Sequence, residues 1–440
     1  MKGIVTMELN ERQQNPGVNS PISRFYSANQ VLEISEALIG DAYDGNNVWY
    51  RLKDGAYVWS GAVELMPDCE RMKELDKFQF LVSYRQRGAD GRIRLDTKDP
   101  ANELYFAPLT LPTTADTIKV NDLIPRTFAP TIVQSALKLN DPGRKHVFVY
   151  IHGYQAFASL KLNLFTHFVE NYMTHPENKI AKALFMVWPA QGLSRKKSDD
   201  RALAAGRAFT ANNLFAGFAE LSRQLNDNGM HLNLIVHSFG HQLLNGMVNP
   251  GAGIPEPQIF ENIFLMAPDV THLAVQLGGV KLKNYFPDND NEEHYDYASL
   301  KKLGKNINVF YDHLDLLLYA STKKFVANRD RDDPRIVDAY RNLGNYGSEK
   351  ISPPATVEKG FNFFSVRDLV KDGEAGDLLN YPYRDMPDHT KDIVRRVREL
   401  ADYNAVKDLD IFFHLQRYPS YHRYIFTCKP VVTKVNELLA

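Results

Sequence analysis

Only two cysteines occur, Cys69 and Cys428, far apart in the chain and without C-x-x-C spacing. That excludes a disulfide framework and argues against a structural zinc site, leaving two reduced thiols as the expectation. No apolar run is long enough to cross a bilayer. Residues 1–12 carry acidic and polar groups where a secretory leader needs an apolar core, so a cytoplasmic location is expected. Lys+Arg 52 against Asp+Glu 53 leaves a formal net charge of -1, which supplies no global field to draw nucleic acid or an anionic membrane. A phosphate loop of the G-x-x-x-x-G-K type is absent too, which sets aside a nucleotide enzyme. What remains is a chain of 440 residues with 44% hydrophobic and 24% charged content. This is the composition of a globular protein with room for two or three domains.

The chain changes character along its length. Residues 1–20 are polar, rich in Asn, Gln and Pro and without periodicity, and are expected to be a flexible lead-in. Residues 21–67 read as short strands and tight turns. The runs around Val48 and Trp59 flank Asp54-Gly55, a hairpin signal whose type I′ form needs positive φ at both residues. This stretch resembles the SH3-like barrels appended to bacterial hydrolases. Its aromatics Trp49, Tyr50, Tyr57 and Trp59 either fill the core of a very small barrel or line a groove for a peptide or glycan.

From residue 68 to 440 the pattern becomes α/β. Strand candidates at Phe78–Tyr84, Lys145–Ile151, Ala183–Trp188, Leu232–Val236, Ile259–Met266, Asn306–Tyr311 and Phe361–Val366 are predominantly apolar. Helical patterns at Ala158–Met173, Ala202–Leu225, after Ser238 and at Pro430–Leu439 alternate with them. Strands without polar alternation, separated by amphipathic helices, indicate a buried and mostly parallel sheet. Insertions near 281–300 and 371–409 interrupt the rhythm, and segments of this kind often form lids.

The most informative segment is Leu232 to Leu244, where an apolar strand breaks at His237-Ser238-Phe239-Gly240 and resumes with helical spacing. This is the layout of a nucleophile elbow, which lifts a serine hydroxyl above a sheet at the start of a helix. Val236 stands where the motif has its first glycine. A serine needs a base to take its proton and an acid to orient that base, and elbow enzymes present them in the chain order Ser, Asp or Glu, His. His422 lies before the terminal helix and is the favoured base, with His414 as competitor. Asp315 is the favoured acid because it follows a strand end and opens the helical run Leu316–Ser321, where a carboxylate also serves as a cap. Asp312 and Asp269 are the other candidates. The oxyanion donors would be the amide of Phe239 and that of Tyr154 or Gln155, which follow the strand-to-loop turn His152-Gly153. His152 is read as bracing that loop. His231, His237 and His241 with Asp269 raise the thought of a metal cluster, but His237 and His241 should point apart on a strand-turn-helix. No metal and no cofactor is expected.

These motifs together, His152-Gly153-Tyr154-Gln155, Val187-Trp188-Pro189-Ala190-Gln191-Gly192, Val236 to Gly240, Ala267-Pro268-Asp269-Val270 and His422-Arg423-Tyr424, resemble an esterase/lipase-like bacterial α/β-hydrolase family of unknown function. The resemblance runs from about Phe78 to the C-terminus. It implies the α/β-hydrolase fold, a small-molecule or lipid ester as substrate, and Asp315 as acid by the family's aspartate-then-helix pattern. Asp269 then falls on a separate turn. The sequence departs from the family at Gln155, where asparagine is usual, at Val236, and in the segment from Lys371 to about Leu409 ahead of the base. The expected function is cleavage of a carboxylic ester through an acyl-enzyme on Ser238. The alternatives are a lipase or phospholipase of effector or defence type, with the insertion as lid, and a catalytically dead hydrolase fold acting as a binding scaffold.

Overall fold

The computed structural model describes residues 2–5, 7–28, 30–43, 46–65, 78–85, 87–94, 100–111, 117–119, 128–154, 158–189, 195–249, 258–283, 292–313, 315, 318, 342–349, 351, 357, 359–369, 422 and 424–439. Cys69, Gln155, His414, the insertion 371–409, residues 284–291 and all but Leu318 of the run Leu316–Ser321 lie outside these.

The N-terminal part is all β. Strands β1 (Lys2–Val5), β2 (Leu9–Arg12), β3 (Ile22–Tyr26), β4 (Val31–Tyr43), β5 (Asn46–Leu52), β6 (Tyr57–Trp59) and β7 (Val63–Leu65) form a seven-stranded sheet in the order β3-β2-β6-β5-β4-β1-β7. Residues 1–20, expected to be flexible, therefore contribute two strands. Val5 and Leu9 are buried with Leu32, Ile34 and Val58, so a few apolar side chains inside a polar composition suffice to anchor the segment. Trp49 and Trp59 lie in this core, while Tyr50 and Tyr57 are half-buried against it. The core alternative thus holds for the two tryptophans. The hairpin at Asp54-Gly55 forms, but only Gly55 has positive φ, at 90°. The Gly55 N–H donates to Leu52 O and the Asp54 carboxylate accepts from the Ala56 amide, a type I turn closed by glycine in place of the expected type I′.

A second sheet of eight strands follows. Its strands are β8 (Phe78–Arg85), β10 (Pro100–Thr110), β12 (His146–Ile151), β13 (Ile180–Val187), β14 (His231–His237), β15 (Phe260–Met266), β18 (Gly304–Tyr311) and β19 (Phe361–Ser365), in the order β10-β8-β13-β12-β14-β15-β18-β19. All pairs are parallel except β10 with β8 at the edge. Two small ribbons, β9 (Arg92–Arg94) with β11 (Thr117–Lys119) and β16 (Val280–Lys283) with β17 (Glu292–Tyr295), stand apart from it. The second ribbon occupies the position of the first expected insertion.

Strand periodicity divides the core into two layers. Val147, Val149 and Ile151 of β12 enter one layer with Leu232, Leu234 and Val236 of β14. Phe148, Tyr150 and Ile235 enter the other. Helices α1 (Phe128–Leu137), α4 (Leu214–Asn226) and α5 (Gly240–Val248) cover the first layer. Helix α2 (Ala158–Met173) and the C-terminal helix Lys429–Leu438 cover the second, where Tyr150 stacks on Phe165, Phe168 and Phe185 at centroid distances of 5.6–5.9 Å. The helix expected over Ala202–Leu225 is two: α3 (Arg195–Ala211) ends and Asn213, at φ 58°, turns the chain into α4. An asparagine tolerates this left-handed conformation better than most residues, which lets the helical pattern break without glycine or proline.

Helices α3 and α5 meet backbone to backbone. A Cβ on Gly206 would lie 2.2 Å from the Leu243 carbonyl oxygen, and one on Gly246 would lie 2.3 Å from that of Leu203. Replacing a helical glycine by alanine gains about 1 kcal/mol in propensity, whereas forcing an atom against a fixed carbonyl costs up to about 3 kcal/mol. Gly246→Ala is therefore expected to destabilise the domain by about 2 kcal/mol, seen as a lower urea midpoint at unchanged slope. An unchanged midpoint would mean that α3 slides away freely.

The opposite, N-terminal edge of the sheet holds a polar network. The Asn262 side-chain amide donates to Asn233 Oδ1 at 3.0 Å, and the Asn233 Nδ2 donates to His146 Nδ1 at 3.1 Å. Burial first, then the neighbouring His231, lowers the His146 pKa from 6.5 to about 4. The unfolded chain thus takes up a proton as pH falls through 6.5 while the folded protein does not until about 4. Stability is present above the first value and is lost across that window, by about 3 kcal/mol for this group. His146→Gln should flatten the fall in unfolding free energy between these two pH values; an equally steep curve would remove His146 from the account.

Candidate active site

The chain runs from β12 to β13 on one side, then returns to β14 on the other side of β12. The connections leaving β12 and β14 consequently cover opposite faces, which opens a crevice above the carboxyl ends of these two strands. Both expected motifs end there, His152-Gly153 after β12 and Ser238 after β14.

Ser238 has φ 54°, a left-handed conformation unusual for a residue other than glycine. The surrounding hydrogen bonds hold it there. Its N–H donates to Met266 O at 2.9 Å, and its carbonyl accepts from the His241 amide at 3.0 Å and from His241 Nδ1 at 2.7 Å. The side chain is driven up against Gly153, where a Cβ would lie 2.7 Å from Ser238 Cβ and 3.1 Å from its Oγ. Glycine is required at 153 for this approach. Gly240 is required in the same way, since a Cβ there would lie 2.7 Å from His152 O. Val236, at the motif's departure from glycine, is fully buried in the first layer.

His422 and Asp315 reach the same point from distant parts of the chain. Ser238 Oγ lies 2.5 Å from His422 Nε2, and His422 Nδ1 lies 2.7 Å from Asp315 Oδ2. A carboxylate accepts, so Nδ1 carries the ring proton and Nε2 is left to accept from the serine hydroxyl. Asp315 is fully buried, and its Oδ1 accepts the Leu318 amide at 3.1 Å. Burial raises its pKa above the usual value, opposed by the facing His422 and by these hydrogen bonds. Asn345 fastens the turn, its Nδ2 donating to the carbonyls of Asp312 and Asp315 at 3.2 and 2.9 Å.

The other candidates take different places. Asp312 donates its amide to Gly344 O at 2.9 Å, and it is the Asp315 carboxylate that meets His422 Nδ1. Asp269 donates its amide to the Ser238 carbonyl at 3.4 Å, and its own carbonyl accepts from Gln242 Nε2 at 2.8 Å, so it lies behind the elbow. His152 stacks on Trp188 at 5.4 Å, and its carbonyl accepts from Trp188 Nε1 at 3.1 Å. Phe239 opens α5 and packs against Trp188 and, edge-on, against Tyr154 at 5.7 Å. Tyr154 is 40% exposed, an aromatic ring at the surface beside the serine. His241 is fully buried, and burial lowers its pKa from 6.5 to about 3, so it stands neutral beneath Ser238. Among the described residues no group of three or more His, Cys, Asp or Glu is placed to hold a metal ion.

Sequence reasoning did not assign a role to Asn345 or to His237. The His237 ring lies 5.0 Å from that of His422, and its Nε2 donates to the His422 carbonyl. Strand alternation carries the signal for His237, because it follows Ile235 onto the face covered by the C-terminal helix. Asn345 had none: its partners are main-chain carbonyls 30 and 33 positions away.

A hydroxyl at a helix N-terminus, hydrogen-bonded through an imidazole to a buried carboxylate above the carboxyl edge of a parallel sheet, is an arrangement able to attack a carbonyl carbon. Residues 130–331 match the model of a family described as alpha/beta hydrolase of unknown function, DUF900. The chain carries an α/β-hydrolase domain. The matched part of the domain takes in His152, Trp188, Ser238 and Asp315 and stops before His422. No curated protein matches the chain. Among solved structures, the acylaminoacyl peptidase of Pyrococcus horikoshii is similar at 13% identity over 87% of this chain and 58% of that one, with a TM-score of 0.23. The chain thus spans less than two thirds of that protein's length, and a likeness of this size carries no argument about the hydrolase domain. Among the described residues no helix is long and apolar enough to cross a membrane.

Proposed function

We propose that the protein is a serine hydrolase that cleaves carboxylic esters through an acyl-enzyme on Ser238. The observation that carries this reading is the unbroken row from Ser238 Oγ through His422 to the buried Asp315, at 2.5 and 2.7 Å. His422 Nε2 takes the hydroxyl proton as Oγ attacks the ester carbonyl, and then delivers it to the departing alkoxide. Water, deprotonated by the same nitrogen, releases the acid and restores the serine. Asp315 holds the ring in the tautomer that leaves Nε2 open and offsets the imidazolium charge that develops in both steps. The backbone amides of Phe239 and of Tyr154 or Gln155 stabilise the oxyanion, in keeping with the contact between Gly153 and Ser238. The N-terminal sheet is read as an SH3-like module on its Asp54-Gly55 hairpin and aromatic strands.

Treating the folded protein with a fluorophosphonate and mapping the adduct by peptide mass spectrometry tests the reading. The adduct is expected on Ser238, together with turnover of p-nitrophenyl acyl esters. Folded protein that takes no label and turns over no ester would overturn it.

A further inference from the structure

His237 is the last residue of β14 and the immediate neighbour of Ser238. Along the strand, Leu232, Leu234 and Val236 point into one apolar layer, Ile235 into the other. His237 continues the second set and is 2% exposed. Its ring lies 5.3 Å from Phe426, edge to face, and 5.0 Å from the ring of His422. Nε2 is 2.9 Å from the main-chain oxygen of His422. A carbonyl only accepts, so this nitrogen carries the proton, and the bond fixes the His237 tautomer as well as the position of the His422 backbone.

The segment that carries His422 is held at a second point. Asn171 of α2 donates through Nδ2 to Phe426 O at 2.6 Å, and the Phe426 ring meets Tyr150 of β12 edge-on at 6.0 Å. That tie lies four residues beyond the histidine. The bond from His237 is at His422 itself, one peptide from the serine that the imidazole must meet.

We infer that His237 is a positioning residue for the same site: its Nε2–H clamps the main chain of His422, so one strand end sets both nucleophile and base. The inference rests on the serine-hydrolase reading for its kinetic consequence and on the His422–Asp315 geometry for its structural one. Displacement of the imidazole by about 1 Å from a productive geometry is worth on the order of 100-fold in rate. A buried hydrogen bond tied to the nucleophile's own strand removes that freedom.

Two variants separate the clamp from mere packing. His237→Phe keeps a ring and removes the donor, while His237→Gln offers a side-chain N–H at about the reach of Nε2. The readouts are the phosphonylation rate of Ser238 by a fluorophosphonate, kcat and KM for p-nitrophenyl butyrate, and the low-field proton of His422 Nδ1–H in protein labelled with nitrogen-15 histidine. In His237→Phe, kcat and the phosphonylation rate are expected to fall roughly 10- to 100-fold, with KM little changed and the low-field proton broadened or lost. In His237→Gln most of the rate and the proton signal return.

Wild-type reactivity in His237→Phe overturns the inference. So does an equal loss in both variants, because the donor would then be irrelevant. If His237→Phe fails to fold, His237→Gln decides alone: a rate near wild type supports the clamp and a large loss overturns it. If the wild-type protein takes no label and turns over no ester, the hydrolase reading has failed and the proton signal decides separately. Loss in His237→Phe with recovery in His237→Gln still supports the clamp, and an unchanged signal in His237→Phe removes it.

Discussion

Ser238→Ala is expected to abolish fluorophosphonate labelling and to lower kcat for ester hydrolysis on the order of 10⁶-fold, while the domain stays folded. The size follows from the loss of the acyl-enzyme route: without Oγ the imidazole has no nucleophile to activate, and only substrate binding and the oxyanion amides remain. The fold should survive because the elbow is held by its main chain. The Ser238 amide bonds to Met266 O, and the Ser238 carbonyl to the amide and Nδ1 of His241, are untouched by removing a hydroxyl. Alanine carries the same penalty as serine at φ 54°. Circular dichroism and thermal unfolding should therefore match the wild type within about 1 kcal/mol. Labelling or turnover that persists in this variant would place the reactive group elsewhere.

Asp315→Asn separates two roles that coincide in one side chain. Asp315 caps the turn through Oδ1 and the Leu318 amide, and it faces His422 through Oδ2. An asparagine can keep the first bond, since its carbonyl still accepts. Turned to the histidine, its NH₂ donates, which requires Nδ1 to accept and puts the ring proton on Nε2. That nitrogen can no longer take the hydroxyl proton of Ser238. The expected loss in kcat is about 10⁴-fold, with stability unchanged or increased, because burial raises the Asp315 pKa and so disfavours the carboxylate that asparagine replaces. A variant with near wild-type turnover would reduce Asp315 to a cap. Reduced stability with normal turnover would make the same point.

The central strands of the larger sheet were legible because burial on both faces leaves them without polar alternation, whereas the edge strand Pro100–Thr110 was not read from the sequence. Leu232 to Val236 and Lys145 to Ile151 were placed within a residue or two of the observed β14 and β12. The elbow was legible for a different reason. A serine in a left-handed turn needs small neighbours where backbones approach, and Gly240 stands against His152 O, as Gly153 stands against Ser238. Where no such local demand existed the reading failed. The break between α3 and α4 rests on Asn213 alone, and the pairing of residues 2–12 rests on a few apolar side chains whose partners lie further along the chain.

The histidine and the aspartate show where sequence pattern ends. Chain order allowed His422 or His414, and Asp315, Asp312 or Asp269, because an ordering rule restricts regions and does not measure distance. Among the described residues the geometry joins His422 to Asp315 and to Ser238, puts Asp312 on the Gly344 carbonyl and turns Asp269 behind the elbow.

By itself, then, the sequence determined the parallel α/β architecture and the strand-turn-helix at Ser238, since both follow from periodicity and short-range sterics that act within a few residues. Only the tertiary structure brings the His422 imidazole and the Asp315 carboxylate to the serine, with His237 hydrogen-bonded to the main chain of the one and Asn345 to that of the other. Those contacts span from 30 to 185 positions and depend on the order of strands in the sheet, which no local pattern encodes.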